Sequence, residues 1–222
     1  MQMKRWVKFE RIPGVLASSY EKASRMVVDG YYRQVADEIV SHIRQGAILD
    51  LGTGPGYLPI EIVKRAPDIQ ITGVDLSRKL IHMARANAQK AGFSSQLSFE
   101  VGNSARLLFD DAVFDMVIST GMLHSLKNPV NVLKEIKRLL KQGSEAWIYD
   151  PANVIQYIDR KKWKASLNTR ERFFLWVFGL LGLHKPIAVY RKSDVAPMIE
   201  AAGFETYEIK EGAREIRIKL TR

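Results

Sequence analysis

Ile48-Leu49-Asp50-Leu51-Gly52-Thr53-Gly54-Pro55-Gly56-Tyr57 is the stretch on which the fold of this chain turns. Ala47 to Leu51 is apolar apart from Asp50 and reads as a short buried strand. Glycines at alternate positions then let the backbone turn sharply and approach a ligand closely. Tyr57 to Lys64 follows as a helix, with Pro59 tolerable in its first turn, and the free N–H groups of its start face whatever the loop holds. A dinucleotide fingerprint would place its third glycine three positions after the second. That position is Tyr57, so the spacing argues against a pyrophosphate cofactor.

Outward from this turn the hydrophobic period alternates. Tyr32, Val35, Ala36, Ile39, Val40 and Ile43 recur at helical spacing over Tyr31 to Arg44, and Gly46 stops that helix. Downstream come a strand Ile69–Asp75, a helix Arg78–Ala91 ended by Gly92, a strand Leu97–Val101, a strand Phe114–Ser119, a helix Pro129–Leu140 ended by Gly143, and a strand Glu145–Tyr149. After Asp150 about 40 residues show no clear strand, until a helix Ser193–Ala202. Phe204–Lys210 and Glu215–Leu220, separated by a short stretch containing Gly212, read as an antiparallel hairpin. The order predicts an α/β fold of three layers. It is a doubly wound, mostly parallel seven-stranded sheet closed by an antiparallel C-terminal hairpin. Residues 1–45 are expected to form an N-terminal helical or lid segment, and residues 46–222 the main domain, with a helical insertion at about 153–190.

Composition narrows the chemistry. The 222 residues are 46% hydrophobic and 26% charged, enough for a sizeable core, and contain no cysteine. Disulfides, thiolate metal sites, iron–sulfur clusters and cysteine nucleophiles are therefore excluded. Four histidines are too scattered to predict a metal site. The first residues carry charge without the apolar run of a secretory signal, and the longest apolar run, Phe173 to Leu183, has 11 residues against the roughly 20 needed to span a bilayer. A cytoplasmic protein is expected. The net charge is +10, with 14 Lys+Arg against 8 Asp+Glu in residues 151–222. Dispersed lysines account for such a balance through solubility, and nucleic acid, an anionic membrane or an acidic substrate are its other readings.

Asp75 ends the second predicted strand 19 residues after Gly56, near the interval at which a carboxylate accepts bonds from ribose hydroxyls. Ser77 is the better placed cap for the following helix, which leaves Asp75 for a ligand. Loop, acid and alternation together make the stretch Ile48 to Asp150 resemble the class I S-adenosylmethionine-dependent methyltransferases, especially the small-molecule enzymes related to quinone biosynthesis. Ile48 to Gly56 is similar to their first motif and Gly73-Val74-Asp75-Leu76-Ser77 to their second. Val101 to Ala105 and Phe114 to Ser119 resemble the third and fourth, and Leu123 to Leu126 and Leu139 to Gly143 the later ones. About half of the chain is covered.

The resemblance implies S-adenosyl-L-methionine as cofactor and S-adenosyl-L-homocysteine as its product. Gly52, Thr53, Gly54 and Gly56 would surround the methionine part while Asp50 faces its ammonium group. Asp75 would hold the ribose and Leu76 would lie against the adenine. Asn103, Ser104 and Ser119 complete the implied set, with Asn103 standing where the family usually has aspartate to accept from the adenine amino group.

The acceptor is less legible. The Asn or Asp with two prolines that marks nucleic-acid amino methyltransferases is absent after the fourth strand, where Ser119-Thr120-Gly121-Met122 stands. A small and apolar acceptor is therefore expected over RNA. An RNA methyltransferase and a non-catalytic module that binds the donor are the rival readings. His124 is the candidate general base, and packing beside the donor pocket is its plainer alternative. Methyl transfer needs in-line geometry and exclusion of water, hence a lid. Tyr20 in the amino-terminal stretch, and Phe174, Trp176 and Phe178 in the insertion, are its candidates. The basic residues before that apolar run, Arg160 to Arg172, also leave open a contact with a membrane surface, and a helix packed on the core with a solvated basic end is the plainer reading of the insertion. No oligomeric state follows from the sequence.

Overall fold

A computed structural model describes residues 12–151, 160–180, 190–212 and 215–222, and its architecture rests on one sheet. The strands are β1 (Gln45–Leu51), β2 (Asp68–Asp75), β3 (Leu97–Val101), β4 (Phe114–Thr120), β5 (Leu140–Pro151), β6 (Thr206–Glu211) and β7 (Glu215–Thr221). Their spatial order is β3-β2-β1-β4-β5-β7-β6. The first five run parallel, while β7 is antiparallel to both β5 and β6. This is the seven-stranded doubly wound arrangement that the alternation predicts. The order reverses between β1 and β4, so the loops after those two strands flank the crevice where such sheets take ligands.

Period-two burial explains the two covered faces. In β1, Ile48 packs into one core while Leu49 and Leu51 enter the other; β4 repeats this with Met116 and Ile118 against Val117. The first core is closed by α2 (Arg33–His42), α3 (Tyr57–Val63) and α4 (Arg78–Ala91), through residues such as Ile39, Ile62 and Ala84. The second is closed by α5 (Pro129–Leu139) and α8 (Lys192–Ala201), through Leu133, Ile136 and Ile199. Local chemistry sets the helix ends. Ser77 Oγ accepts from Leu80 N at the start of α4, and Gly92 closes it at φ 82°. Asn128 caps α5, whose first residue is Pro129.

Two departures from the sequence reading have physical causes. The amino-terminal helix begins far earlier than Tyr31: a 3₁₀ turn, Gly14–Leu16, leads into α1 (Ala17–Val27), and a π-helical segment, Val28–Tyr32, joins α1 to α2 without a break. Helix α1 carries an amphipathic period of its own, and the π-helical joint puts that period out of phase with α2. Second, α5 stops at Leu139, and β5 starts at Leu140 rather than Glu145. Leu140 pairs with Phe114, and the register then slips before Met116. Lys141 to Ser144 carry no hydrophobic alternation because they form an irregular edge, with Gly143 at φ 77° and its N–H bonded to Arg222 O at 3.0 Å. Within the insertion the described residues form two helices, α6 (Arg160–Ser166) and α7 (Thr169–Leu180). Among the described residues no helix is long and apolar enough to cross a membrane.

Gly73, inside β2, shows how tightly the crevice floor is built. A methyl group there would sit 2.6 Å from Phe99 Cδ1 and 2.6 Å from Thr53 Oγ1. Gly73→Ala is therefore expected to destabilise the protein by about 1–3 kcal/mol, read by thermal or denaturant unfolding. A change below half of that would show that Phe99 and the loop can retreat.

Candidate functional site

At the switch point the chain leaves β1 through Gly52, Gly54 and Gly56, which adopt φ values of 75°, 56° and 78°. Side chains with a Cβ adopt that region only under strain, so the glycines are demanded by the turn. Gly52 and Thr53 donate their N–H groups to Val74 O, at 2.8 and 3.0 Å, which ties the loop to β2. Asp75 completes the tie. Its Oδ2 accepts from Gly54 N at 3.1 Å and its Oδ1 from Ser77 N at 2.8 Å. Burial raises its pKa, and these two backbone donors work against the rise.

Asp50 lies beneath the loop and is 2% exposed. Burial pushes its carboxyl up to about 7; the nearby Thr53 hydroxyl offsets part of this and the Asp75 charge adds to it. Among the described residues neither Asp50 Oδ1 nor Thr53 Oγ1 has a partner at hydrogen-bonding distance and angle. Two unmet polar atoms in one buried corner fit a ligand that carries an ammonium group.

The remaining donor-site candidates fall around this corner. Leu76 is half-buried directly after Asp75, and Ser104 is buried in the turn that follows β3. Asn103 is exposed, and its Oδ1 already accepts from Ala105 N at 3.0 Å, leaving one lone pair and the amide N–H groups for a ligand. Ser119 is buried, but its hydroxyl donates to Leu51 O at 2.9 Å, so it fastens β4 to β1 at the crevice.

Above the loop stands α1. The Tyr20 ring lies 3.5 Å from the point a Cβ on Gly54 would occupy. Although 37% exposed, its phenol is crowded by protein and by the carboxylates of Asp75 and Asp50, and its pKa is pushed up to about 12. Tyr32 shares this surrounding, with burial first and then Tyr20 and Asp50 raising its pKa. A second contact holds α1 in place. Tyr57 OH donates to Glu21 Oε1, and Arg25 donates both to Tyr57 OH at 3.0 Å and to Glu21 Oε1 at 2.6 Å.

On the other side of the crevice, β4 ends in Gly121-Met122 and a 3₁₀ turn, Leu123–Ser125. Met122 closes on Gly52, its Cβ 3.1 Å from where a Cβ on that glycine would lie. His124 Nδ1 and Asp150 Oδ1 are 2.9 Å apart, and Asp150 Oδ2 also accepts from His124 N at 3.1 Å. Asp150 is 3% exposed at the carboxyl end of β5. The bond pattern assigns the ring proton to Nδ1, which leaves the Nε2 lone pair unpaired among the described residues.

The insertion candidates lie farther out. Trp176 is 61% exposed, Phe174 is half-buried beneath the Arg170 guanidinium at 5.8 Å, and the Phe178 side chain lies outside the described residues. Among the described residues no three His, Asp or Glu side chains converge on a metal position. Asp150, Tyr32 and Met122 escaped the sequence reading. Asp150 had a usable signal, an acid at the carboxyl end of a strand beside the switch point. Tyr32 and Met122 had none, because both read as ordinary apolar positions.

Comparison with known proteins gives one family and a consistent fold. A family model described as "Methyltransferase domain" matches residues 44–203. The ubiquinone/menaquinone biosynthesis C-methyltransferase UbiE of Geotalea uraniireducens (strain Rf4) is 26% identical over 147 residues, 64% of this chain and 63% of that protein. The match therefore spans less than two thirds of that relative. The demethylmenaquinone methyltransferase of Porphyromonas gingivalis is 24% identical over 205 residues, 90% of this chain and 82% of that protein. Among solved structures, a Methanococcus maripaludis protein assigned as an S-adenosyl-L-methionine-dependent methyltransferase superposes with a TM-score of 0.73 at 21% identity. It covers 100% of this chain and 97% of that one.

Asp50 is the titration marker of the site. Carbon-13 carboxyl spectra of the unliganded protein should show one aspartate with a midpoint near 7, as burial dictates, and that signal should vanish in Asp50→Asn. A carboxyl that titrates in the ordinary range near 4 would mean that water reaches this corner.

Proposed function

The chain belongs to the methyltransferase-domain family, as an S-adenosylmethionine-dependent small-molecule methyltransferase, and from that premise we propose that its acceptor is a quinol whose ring carbon it methylates beside a hydroxyl group. Two observations support the acceptor class. The relatives are named for quinone C-methylation, and the crevice carries a histidine whose free nitrogen is set by a buried aspartate. The second of these carries the reading.

The donor corner follows from the chain's own groups. Asp50 receives an ammonium, the N–H groups at the start of α3 face a carboxylate, and Asp75 accepts from ribose hydroxyls. Leu76 and Asn103 border the adenine. S-Adenosylmethionine supplies an electrophilic methyl group at this place and leaves as S-adenosylhomocysteine. The ring carbon attacks such a group once a neighbouring hydroxyl has lost its proton; the methylated carbon then gives its own proton to water while the His124 imidazolium returns its proton to the oxygen. His124 Nε2 is the group that takes the hydroxyl proton, with Asp150 holding the ring in the tautomer that makes this feasible. Asp150 is thus a positioning residue rather than a contact of the acceptor. Tyr20 and α1 cover the loop and keep water from the transferring methyl group. The reading keeps the reaction in the cytoplasm.

Labelled methyl transfer tests the function directly. Demethylated short-chain naphthoquinols and benzoquinols, kept reduced, should accept label on a ring carbon, while bulk RNA should not. Label in RNA, or only on a quinol oxygen, would overturn the acceptor. Within the enzyme, Asp75→Ala should weaken donor binding by about 1.5–3 kcal/mol in calorimetry. His124→Ala should lower kcat by about 10²–10⁴-fold with donor affinity unchanged. Asp150→Asn should lower kcat less. Turnover indifferent to both substitutions would deny His124 the proton.

A further inference from the structure

The exposed face of α6 and α7 is unlike the rest of the surface. Phe173 and Trp176, one helical turn apart, are 55% and 61% exposed, with ring centroids 6.2 Å apart. Phe174 stands beside them, 5.7 Å from Phe173. From Phe173 to Val177 the helix offers five apolar residues in a row. Burial explains such a row when its large rings are covered, and here two of them face outward.

The sequence of the two helices is strongly basic. Residues 160–177 contain Arg160, Lys161, Lys162, Lys164, Arg170 and Arg172 against a single acid, Glu171. That acid is 4% exposed and turned inward, where its Oε2 accepts from Lys22 Nζ and from Asn168 N, each at 2.8 Å. Among the described residues, the two helices therefore expose basic groups and aromatic rings with no carboxylate between them. The pair is also anchored next to the donor crevice. Trp163 Nε1 donates to Ser19 O at 3.1 Å, Lys22 donates to Ser166 O at 2.7 Å, and the residue after Ser19 is Tyr20, which overlies Gly54.

We propose that this face docks the protein on an anionic phospholipid bilayer, with Phe173 and Trp176 entering the headgroup–acyl boundary and the lysines and arginines meeting lipid phosphates. Charge complementarity selects the partner. Aromatic rings rimmed by cations suit an interface that is apolar at depth and negative at its surface. The row from Phe173 to Val177 is too apolar to follow the polar edge of a nucleic acid. Docking sets the crevice one helix away from the bilayer, so an apolar acceptor can pass to the site without crossing water. The surface goes beyond the assignment of the acceptor and does not rest on it, because lipid binding is measured with no acceptor present.

Sedimentation of the full chain with vesicles tests the proposal. Binding is expected to vesicles in which about one lipid in three is phosphatidylglycerol, little to pure phosphatidylcholine, and progressively less as salt rises to about 0.5 M. Reversing two charges in Lys161→Glu/Lys164→Glu should weaken binding by at least about 25-fold, the product of roughly fivefold per basic group. Phe173→Ser/Trp176→Ser should weaken it while leaving the residual binding salt-sensitive. Both variants should keep the wild-type affinity for S-adenosylmethionine, which reports that they are folded. Failure of the folded wild-type protein to bind anionic vesicles would overturn the proposal, as would binding that both variants leave intact. Salt-sensitive binding of single-stranded RNA in place of vesicles, lost in the same variants, would reassign the face to nucleic acid. Self-association abolished by Phe173→Ser/Trp176→Ser, without vesicle binding, would reassign it to a second copy of the chain.

Discussion

The Asp75 carboxylate is the clasp on which the crevice depends. One oxygen accepts from Gly54 in the loop after β1 and the other from Ser77 at the start of α4, so one side chain fixes two loops from neighbouring strands. Burial works against an ionised group in this place, and the two backbone donors work for it. The compromise is specific to a carboxylate. An amide could accept from only one of the two donors, and one loop would be left without its partner. The left-handed glycines, the Thr53 contact to Val74 and the position of Asp50 all lie on the ground that this clasp holds together.

Most of the sheet was legible because its strands are buried on both faces and its helices carry punctuation. The helix Arg78–Ala91 is readable to the residue, since Ser77 and Gly92 mark its ends by hydrogen bonding and by a left-handed φ. What the sequence hid was hidden for stated reasons. The first residues of β5 lie in a polar irregularity whose stability comes from Arg222, 80 residues away, and no local pattern encodes that partner. Helix α1 has a clear period, but the π-helical joint at Val28–Tyr32 shifts its phase, so the pattern that starts at Tyr31 does not extend back into it. At the site, the glycines and Asp75 announce themselves by spacing. The pairing of His124 with Asp150 joins two strand ends that are distant in sequence and meet only once β4 lies beside β5.

The two halves of the crevice follow different economies. Beneath the glycine loop, Asp50 Oδ1 and Thr53 Oγ1 have no partner among the described residues, so a ligand there would replace missing interactions instead of breaking existing ones. Across the crevice stand a methionine and a histidine, groups that set shape more than identity. Such a division suits a fold that keeps one cofactor while its acceptors vary.

The π-helical segment Val28–Tyr32 carries a consequence for how such a site arises. A wide turn of this kind accommodates one residue more than a regular helix would, and each residue rotates what precedes it by about 100°. With the extra residue, Tyr32 faces Asp50 and Tyr20 overlies Gly54, while Tyr31 reaches the opposite direction to donate to Glu215 at 3.2 Å. Without it, α1 would present another face to the crevice although every strand and every glycine stayed in place. A single inserted codon is therefore a sufficient evolutionary step to exchange the cover of the active site, and the length of this helix joint is where lineages with the same sheet can diverge in what they admit.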